Sequence, residues 1–419
     1  MGPLPFPAAS VARLGEVPWG SLAGTAPALE QPLASVLGGA PAEDVLDHFL
    51  RSRRDLGPDG RRAAAEALFG VGLWRRRLEY HAGEGAGPLE LLAVLVRDLA
   101  GLEGAEAICS LRRALPPRRP APADLATFYS LPAWLAETLR REAGPGEAGE
   151  AADALNRPGP VFLRANRTRT ERGALRLRLE EEGVLARPAR FARDGLEVLS
   201  PRPNLLALPS FREGLFEVQD EGSQLLGLAV GAMAGDRVLD LCAGAGGKSL
   251  LLAAEVGERG EVHACDRDPE RLDRLRRRAS KAQAGNITVG GGAPPSRERF
   301  DRVLVDAPCS GLGALRRGPD VRFRVDPDSF GSLPSLQLEL LLRGADAVRP
   351  GGRLVYATCT FRREENEEVV VAFERSRPSF ERADALSLPP PRAGGLLSLW
   401  PHRHGTDGFF AAAWQRAAG

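Results

Sequence analysis

One stretch limits the possible folds more than any other: Arg237-Val-Leu-Asp-Leu-Cys-Ala-Gly-Ala-Gly-Gly-Lys-Ser249. Val238, Leu239 and Leu241 read as a short buried strand that Asp240 interrupts near its end. Gly244, Gly246 and Gly247 predict a tight loop, and Ser249 to Val256 a helix. A strand, a glycine loop and a helix in that order bring bare backbone N–H groups close to a ligand. Glycine permits positive φ and puts no Cβ in the way.

Three readings of the loop compete. Gly247-Lys248-Ser249 matches the end of a phosphate-binding G-x-x-x-x-G-K-[ST] loop, but the first glycine of that pattern should stand where Cys242 does. A nucleoside-cofactor loop instead needs an acidic residue at the end of the next strand, to hold ribose hydroxyls. Glu261-Val-His-Ala-Cys-Asp266 supplies one. The third reading is a βα turn with no ligand. The cofactor reading accounts for the most residues.

At 419 residues the chain is long enough for two or three domains. Hydrophobic residues make up 43% and charged residues 26%, which predicts a soluble globular protein. With a net charge of +1, any nucleic-acid surface must be a local patch. No run approaches the ~18 apolar residues of a membrane span, and no basic stretch followed by an apolar core opens the chain. We therefore expect a cytoplasmic monomer. Cys109, Cys242, Cys265, Cys309 and Cys359 form no metal-type pair, so free thiols and no metal are expected. Arginine carries almost all the basic charge; the only lysines are Lys248 and Lys281. A lysine inside the glycine loop suggests that a compact ammonium donor is wanted there.

Residues 1–28, with five prolines among small residues, read as a flexible leader. From Leu29 to about Leu115 the apolar spacing is helical, with Arg51, Arg53, Arg54, Arg61, Arg62 and Arg75 to Arg77 scattered along it. These arginines are either solvated helix faces or an RNA surface. Pro116 to Pro122 reads as a linker that closes a helical domain of residues 29–122. Residues 123–216 predict a small α+β module with a helix over Leu125–Arg141, a strand over Val161–Asn166 and a helix over Glu171–Gly183. Ten arginines against four glutamates between Arg157 and Arg193 suit a phosphate backbone. Residues 217–419 carry predicted strands Arg237–Cys242, Glu261–Asp266, Asn286–Val289, Arg302–Asp306 and Arg353–Ala357, mostly separated by helices, which implies a largely parallel α/β sheet. Gly408–Trp414 is a last strand without a long crossover helix, and is expected to be antiparallel.

Asp306-Ala-Pro-Cys309-Ser-Gly-Leu-Gly313 follows the fourth of these strands, and Tyr356-Ala-Thr-Cys359-Thr360 ends the fifth. Open parallel sheets bind ligands at the carboxyl ends of their strands. A single cysteine there is an ordinary small buried residue. Two, each just past a strand end, point to chemistry. A thiolate that adds to carbon 6 of a pyrimidine makes carbon 5 enamine-like and able to attack a methyl sulfonium. A base then takes the carbon-5 proton and the thiol leaves. A carboxylic acid near N3 would assist the addition, and Asp306 is in range of that task.

The chain resembles the RNA (cytosine-5) methyltransferases of the bacterial ribosomal-RNA type, whose relatives include the Sun-domain proteins. Glu217-Val-Gln-Asp-Glu-Gly-Ser223, Asp240 to Lys248, Asp306 to Gly313 and Arg316-Arg317-Gly-Pro-Asp320 carry the first part of the likeness. Gln337, Thr358-Cys359-Thr360, Glu365-Asn-Glu367 and Thr406-Asp-Gly-Phe-Phe410 carry the rest. The helical front end resembles, more weakly, a NusB-like RNA-binding domain. The resemblance implies a Rossmann-like methyltransferase domain with S-adenosyl-L-methionine held by Cys242, Ala243, Gly244, Ala245, Gly246, Gly247 and Lys248, and with Asp266 on its ribose. It also implies Cys359 as the nucleophile, Cys309 as the thiol that assists release, and Asp306 against the target cytosine and at the edge of the cofactor site. The substrate would be RNA, ribosomal first and transfer RNA second. The family has an aspartate facing the adenine where this chain has Val289-Gly-Gly-Gly292. Two other classes stay open. A non-catalytic RNA-binding relative would explain the missing acid. A DNA cytosine methyltransferase would use Pro308-Cys309 for attack.

Overall fold

The computed structural model describes residues 8–200, 203–291, 300–384, 391–392 and 395–418. Contacts divide the chain into two units: Met1–Pro158 with Leu315–Pro327, and Gly159–Ala314 with Asp328–Gly419.

The first unit is built on the helix Pro58–Ala82. Its Ala64, Ala67, Leu68, Val71, Trp74 and Leu78 recur at helical spacing and are buried. Helices Glu30–Leu37, Ala42–Ser52 and Pro88–Val94 pack around it. At Gly72 a Cβ would lie 2.9 Å from a Val36 methyl, so only glycine lets that neighbour approach so closely.

Two expected boundaries give way here. The described part of the leader, from Ala8 on, is not flexible: Leu14, Trp19, Leu22 and Ala26 are buried in the helical core. Apolar side chains placed among the prolines outweigh the composition. The boundary at residue 123 also fails, because helices Leu125–Phe128, Ala133–Ala143 and Ala148–Leu155 belong to this unit. Asp153 accepts from the backbone N–H and hydroxyl of Ser10. Arg322, fully buried, donates to Asn156 Oδ1 at 2.6 Å and to the Leu155 carbonyl at 3.0 Å.

The arginines divide by role. Arg77 stacks 4.3 Å over the Phe128 ring and donates to the Phe128 carbonyl, and burial pulls its pKa down to about 10. Arg75 and Arg76 bond the Leu37 and Leu131 carbonyls. These three are structural. Arg51, Arg54, Arg61 and Arg62 are exposed.

In the second unit, a four-stranded antiparallel sheet runs Ala186–Pro188, Gly195–Val198, Phe162–Ala165, Phe216–Val218, with helix Arg172–Glu181 packed on it. The boundary expected at 216/217 therefore falls inside a strand. Arg164, expected to face a phosphate backbone, is buried and donates to the Gly247 carbonyl at 3.0 Å. The strand is buried along its whole length, so its arginine meets protein rather than solvent.

The larger sheet has nine strands among the described residues. Ile287–Gly291, Glu261–Asp266, Arg237–Asp240, Phe300–Asp306 and Val348–Thr358 lie side by side in that order and parallel. Phe409–Arg416 pairs antiparallel with Val348–Thr358, as expected, but through a long connection that holds helix Glu367–Ser376 and strand Phe380–Ala383. Helices Gly247–Val256, Pro269–Ala282, Leu333–Ala347 and Glu367–Ser376 cover the sheet. The architecture is α/β, Rossmann-like, with the α+β module in front of it.

Candidate active site

The carboxyl ends of the parallel strands open into a cavity of about 770 Å3. Its lining includes the loop residues Cys242, Ala243, Gly244, Ala245, Gly247 and Lys248, together with Asp266, Asp306, Cys309 and Cys359. Every expected site residue except Gly246 lines this one space. Gly246 supports it from behind: its φ is +85° and a Cβ would sit 2.5 Å from Leu275 Cγ.

The loop is held by its own backbone and by three side chains. The Ala243 N–H donates to the Cys265 carbonyl, and Gly246 N–H to the Ala243 carbonyl. Gly244, at φ +54°, donates its N–H to Asp266 Oδ2 at 2.8 Å. The other Asp266 oxygen accepts from Asp268 N–H at 2.9 Å. Each oxygen keeps a lone pair for a ribose hydroxyl. Arg278 donates to the Ala245 carbonyl at 2.6 Å and is anchored by Glu217, while Arg164 takes the Gly247 carbonyl. The residues present fit a nucleoside cofactor: bare loop backbone, a carboxylate one strand away, and space beside both. Gly290 and Gly291 carry no acid for the adenine side; Gly292 lies outside the described residues.

Asp240, buried beneath the loop, accepts from Ser249 Oγ at 2.7 Å. Burial raises its pKa to about 7, against the effect of that hydrogen bond. Cys242 is a neutral thiol, because burial pushes its pKa up to about 12. Lys248 Nζ meets Asp306 Oδ2 at 2.6 Å.

All five cysteines are free, and Cys309 Sγ lies 3.3 Å from Cys359 Sγ. The pair is unequal. The hydrogen bond from Cys309 lowers the pKa of Cys359; burial and Asp306 oppose that effect, and Lys248 reinforces it. Cys309 is pushed well above the usual thiol range by the same hydrogen bond, by burial and by the charges of Cys359 and Glu365. Either sulfur could donate in this contact, and the opposed shifts favour Cys309 as the donor and Cys359 as the acceptor. The Cys309 loop is braced at its far end, where Gly313 N–H donates to the Cys359 carbonyl and Gly408 N–H to the Gly313 carbonyl. A Cβ at Gly313 would fall 2.0 Å from the Gly408 oxygen.

Sequence reasoning named Gln337, Glu365 and Asn366 only as pieces of a likeness, and assigned Arg164 and Arg278 no role at the loop. Most of their partners are distant in the chain, 55 positions for Glu365 with Ser310 and 83 for Arg164 with Gly247, so no local pattern marks them. A clue lies in Glu365, an acidic residue six positions past Cys359 and not far from the sheet edge.

Fold and site together define a Rossmann-like methyltransferase. The family described as 16S rRNA methyltransferase RsmB/F matches residues 228–415, and the ferredoxin-like domain of RsmF/B-like methyltransferases matches residues 131–204. The latter match begins within helices that pack in the first unit. A protein from Bacillus subtilis (strain 168), "Probable ribosomal RNA small subunit methyltransferase B", is 33% identical over 308 residues, covering 70% of this chain and 68% of the relative. The solved structure of PH0851 shares the fold at TM-score 0.76 and 23% identity, over 95% of this chain and 99% of that one. NSun6 from Pyrococcus horikoshii, solved with SFG, does so at TM-score 0.62 and 20% identity, over 69% of this chain and 99% of that one. The chain belongs to the RsmB/F methyltransferase family. It is an RNA methyltransferase, and its methyl donor is S-adenosyl-L-methionine. Among the described residues no helix is long and apolar enough to cross a membrane.

Proposed function

We propose that this enzyme methylates carbon 5 of a cytosine in ribosomal RNA through a covalent adduct on Cys359. The observation that carries the reading is the thiol pair, 3.3 Å apart, in the same cavity as the glycine loop. The ribosomal substrate rests on the Bacillus subtilis relative's name.

S-adenosyl-L-methionine, when bound, supplies an electrophilic methyl group on a sulfonium. The loop from Cys242 to Lys248 and the Asp266 carboxylate would hold it. Cys359, as thiolate, adds to carbon 6 and makes carbon 5 nucleophilic. Asp306 and Lys248 present a carboxylate and an ammonium to the polar edge of the base. After carbon 5 is alkylated, its proton leaves to a base and the bond from carbon 6 to Cys359 breaks. Cys309 returns a hydrogen bond to the departing sulfur. The exposed Arg51, Arg54, Arg61 and Arg62 suit a phosphate backbone, so we assign the helical unit to RNA binding.

Two mutants and one denaturing gel test the reading. Cys359→Ala is expected neither to methylate RNA nor to form an adduct. Cys309→Ala keeps the attacking thiol and should accumulate an RNA–protein adduct that depends on S-adenosyl-L-methionine. Adduct from Cys359→Ala but none from Cys309→Ala would exchange the roles, as in a DNA-type enzyme. No adduct and no cofactor binding in any form would make the chain a non-catalytic relative.

A further inference from the structure

Glu365 lies past the end of the strand that carries Cys359, and its side chain is 0% exposed. A buried carboxylate needs partners, and its partners surround Cys309. Glu365 Oε2 accepts from Ser310 N–H at 2.8 Å, on the residue after Cys309. It also accepts from Gln337 Nε2 at 3.0 Å, and the same amide donates to the carbonyl of Pro308, the residue before Cys309, at 2.9 Å. Arg362 approaches Oε1 at 3.4 Å.

The backbone around Glu365 is tied to the other thiol. Tyr356 donates its hydroxyl to the Glu365 carbonyl at 2.6 Å. Asn366 accepts from Thr358 Oγ1 and donates to the Thr360 carbonyl, the residues on either side of Cys359. One short segment thus grips both cysteine loops. The two loops also meet directly, where Ser310 Oγ lies 2.8 Å from Thr360 Oγ1.

We propose that Glu365 is a positioning residue of the methyl transfer: its carboxylate fixes the Cys309 loop against Cys359 and places a negative charge on the Cys309 side of the pair. The charged groups facing the thiols are then divided. Lys248 and Asp306 stand on the Cys359 side. Glu365 stands on the Cys309 side, with Arg362 beyond it. Tyr356 is held neutral by burial. A negative charge beside Cys309 opposes a second one on its sulfur. This charge favours Cys309 as the S–H donor, against the Cys359 N–H that donates to Cys309 Sγ at 3.4 Å.

The inference rests on the assignment of the two thiols proposed above, but its test needs neither RNA nor methyl donor. The full-length chain is alkylated with iodoacetamide from pH 6 to 10, and each cysteine-containing peptide is quantified by mass spectrometry. In the wild type Cys359 should label first and Cys309 only at higher pH. Glu365→Gln should raise the Cys309 rate at pH 8 severalfold, by less than the roughly tenfold of one pKa unit because Glu365 is the smallest influence on Cys309, and narrow the gap between the two profiles. Glu365→Asp keeps the charge but withdraws it by one methylene, and should fall between. A Glu365→Gln profile like the wild type overturns the proposal. So does Glu365→Asp as disturbed as Glu365→Gln, since shape rather than charge would then govern. If Glu365→Gln does not fold, Glu365→Asp must still narrow the gap, and a wild-type ratio overturns the idea. Failure of the adduct experiment would leave these labelling profiles readable, so the two tests fail separately.

Discussion

Lys248 Nζ lies 2.6 Å from Asp306 Oδ2, so the lysine of the glycine loop and the carboxylate after the fourth parallel strand form one ionic unit at the sheet edge. Burial works against the lysine's charge, but Asp306, with smaller help from Asp240 and Cys359, outweighs it and the lysine pKa is raised. Removing one partner of a fully buried pair costs about 3–5 kcal/mol. Asp306 keeps 29% side-chain exposure, which lowers the expectation for Lys248→Met to about 1–3 kcal/mol. The double mutant Lys248→Met with Asp306→Asn should recover part of that loss. Urea unfolding of the four proteins measures the cycle, and strictly additive losses would show that the pair is not coupled.

Asp266→Ala should weaken S-adenosyl-L-methionine binding by about 1.5–3 kcal/mol, the value of a hydrogen bond to a charged acceptor. It should also loosen the loop, because Asp266 holds Gly244 N–H. Calorimetric titration with the cofactor measures the first effect. Faster amide exchange at Gly244 reports the second.

Gly246→Ala should destabilise the chain and abolish cofactor binding. The left-handed φ of +85° disfavours alanine by about 1–2 kcal/mol. The collision with Leu275 adds about 1–3 kcal/mol of overpacking. Leu275→Ala in the same chain removes the contacts with Cγ and Cδ1, leaving a tight 3.2 Å approach to Cβ and the φ term, so binding should return in part. Complete rescue would mean that the backbone conformation is not strained.

Asp240→Asn should change the pH dependence of stability. The folded pKa of about 7 lies above the ordinary 3.8, so the folded state holds a proton that the unfolded chain has released. That contribution is full below about pH 4 and is lost as pH rises to about 7. Asparagine does not titrate. The melting temperature of Asp240→Asn relative to wild type should therefore climb across that window and level off above it. Calorimetry at pH 4, 5.5, 7 and 8 checks the slope, and a constant difference would contradict it.

The glycine loop, the parallel strands and the two thiols could be read before any coordinates existed. Each is a local pattern: a buried run before glycines, an acid at the next strand end, a cysteine just past an apolar run. The antiparallel final strand was legible from the want of a clear long crossover helix before it, but helix Glu367–Ser376 and strand Phe380–Ala383 do stand between it and its partner. Arginine was the misleading residue. In sequence, Arg75, Arg76, Arg77 and Arg164 resemble an RNA surface, yet in the structure they bond buried or half-buried carbonyls of distant segments. A guanidinium bonds a carbonyl as readily as a phosphate, and only burial distinguishes the two.

Domain limits were the other loss. A proline-rich stretch from Pro116 looks like a linker, but the helices beyond it return to the first core, and Trp19 among the leading prolines is part of that core. What the sequence determined by itself is the class of chemistry, because strand ends and glycine loops are set by neighbours in the chain. The tertiary structure decided how closely the two thiols are paired, what holds the loop, and where one unit stops. Those depend on charges and packing brought together across as many as 167 residues of chain, as when Arg322 reaches Leu155.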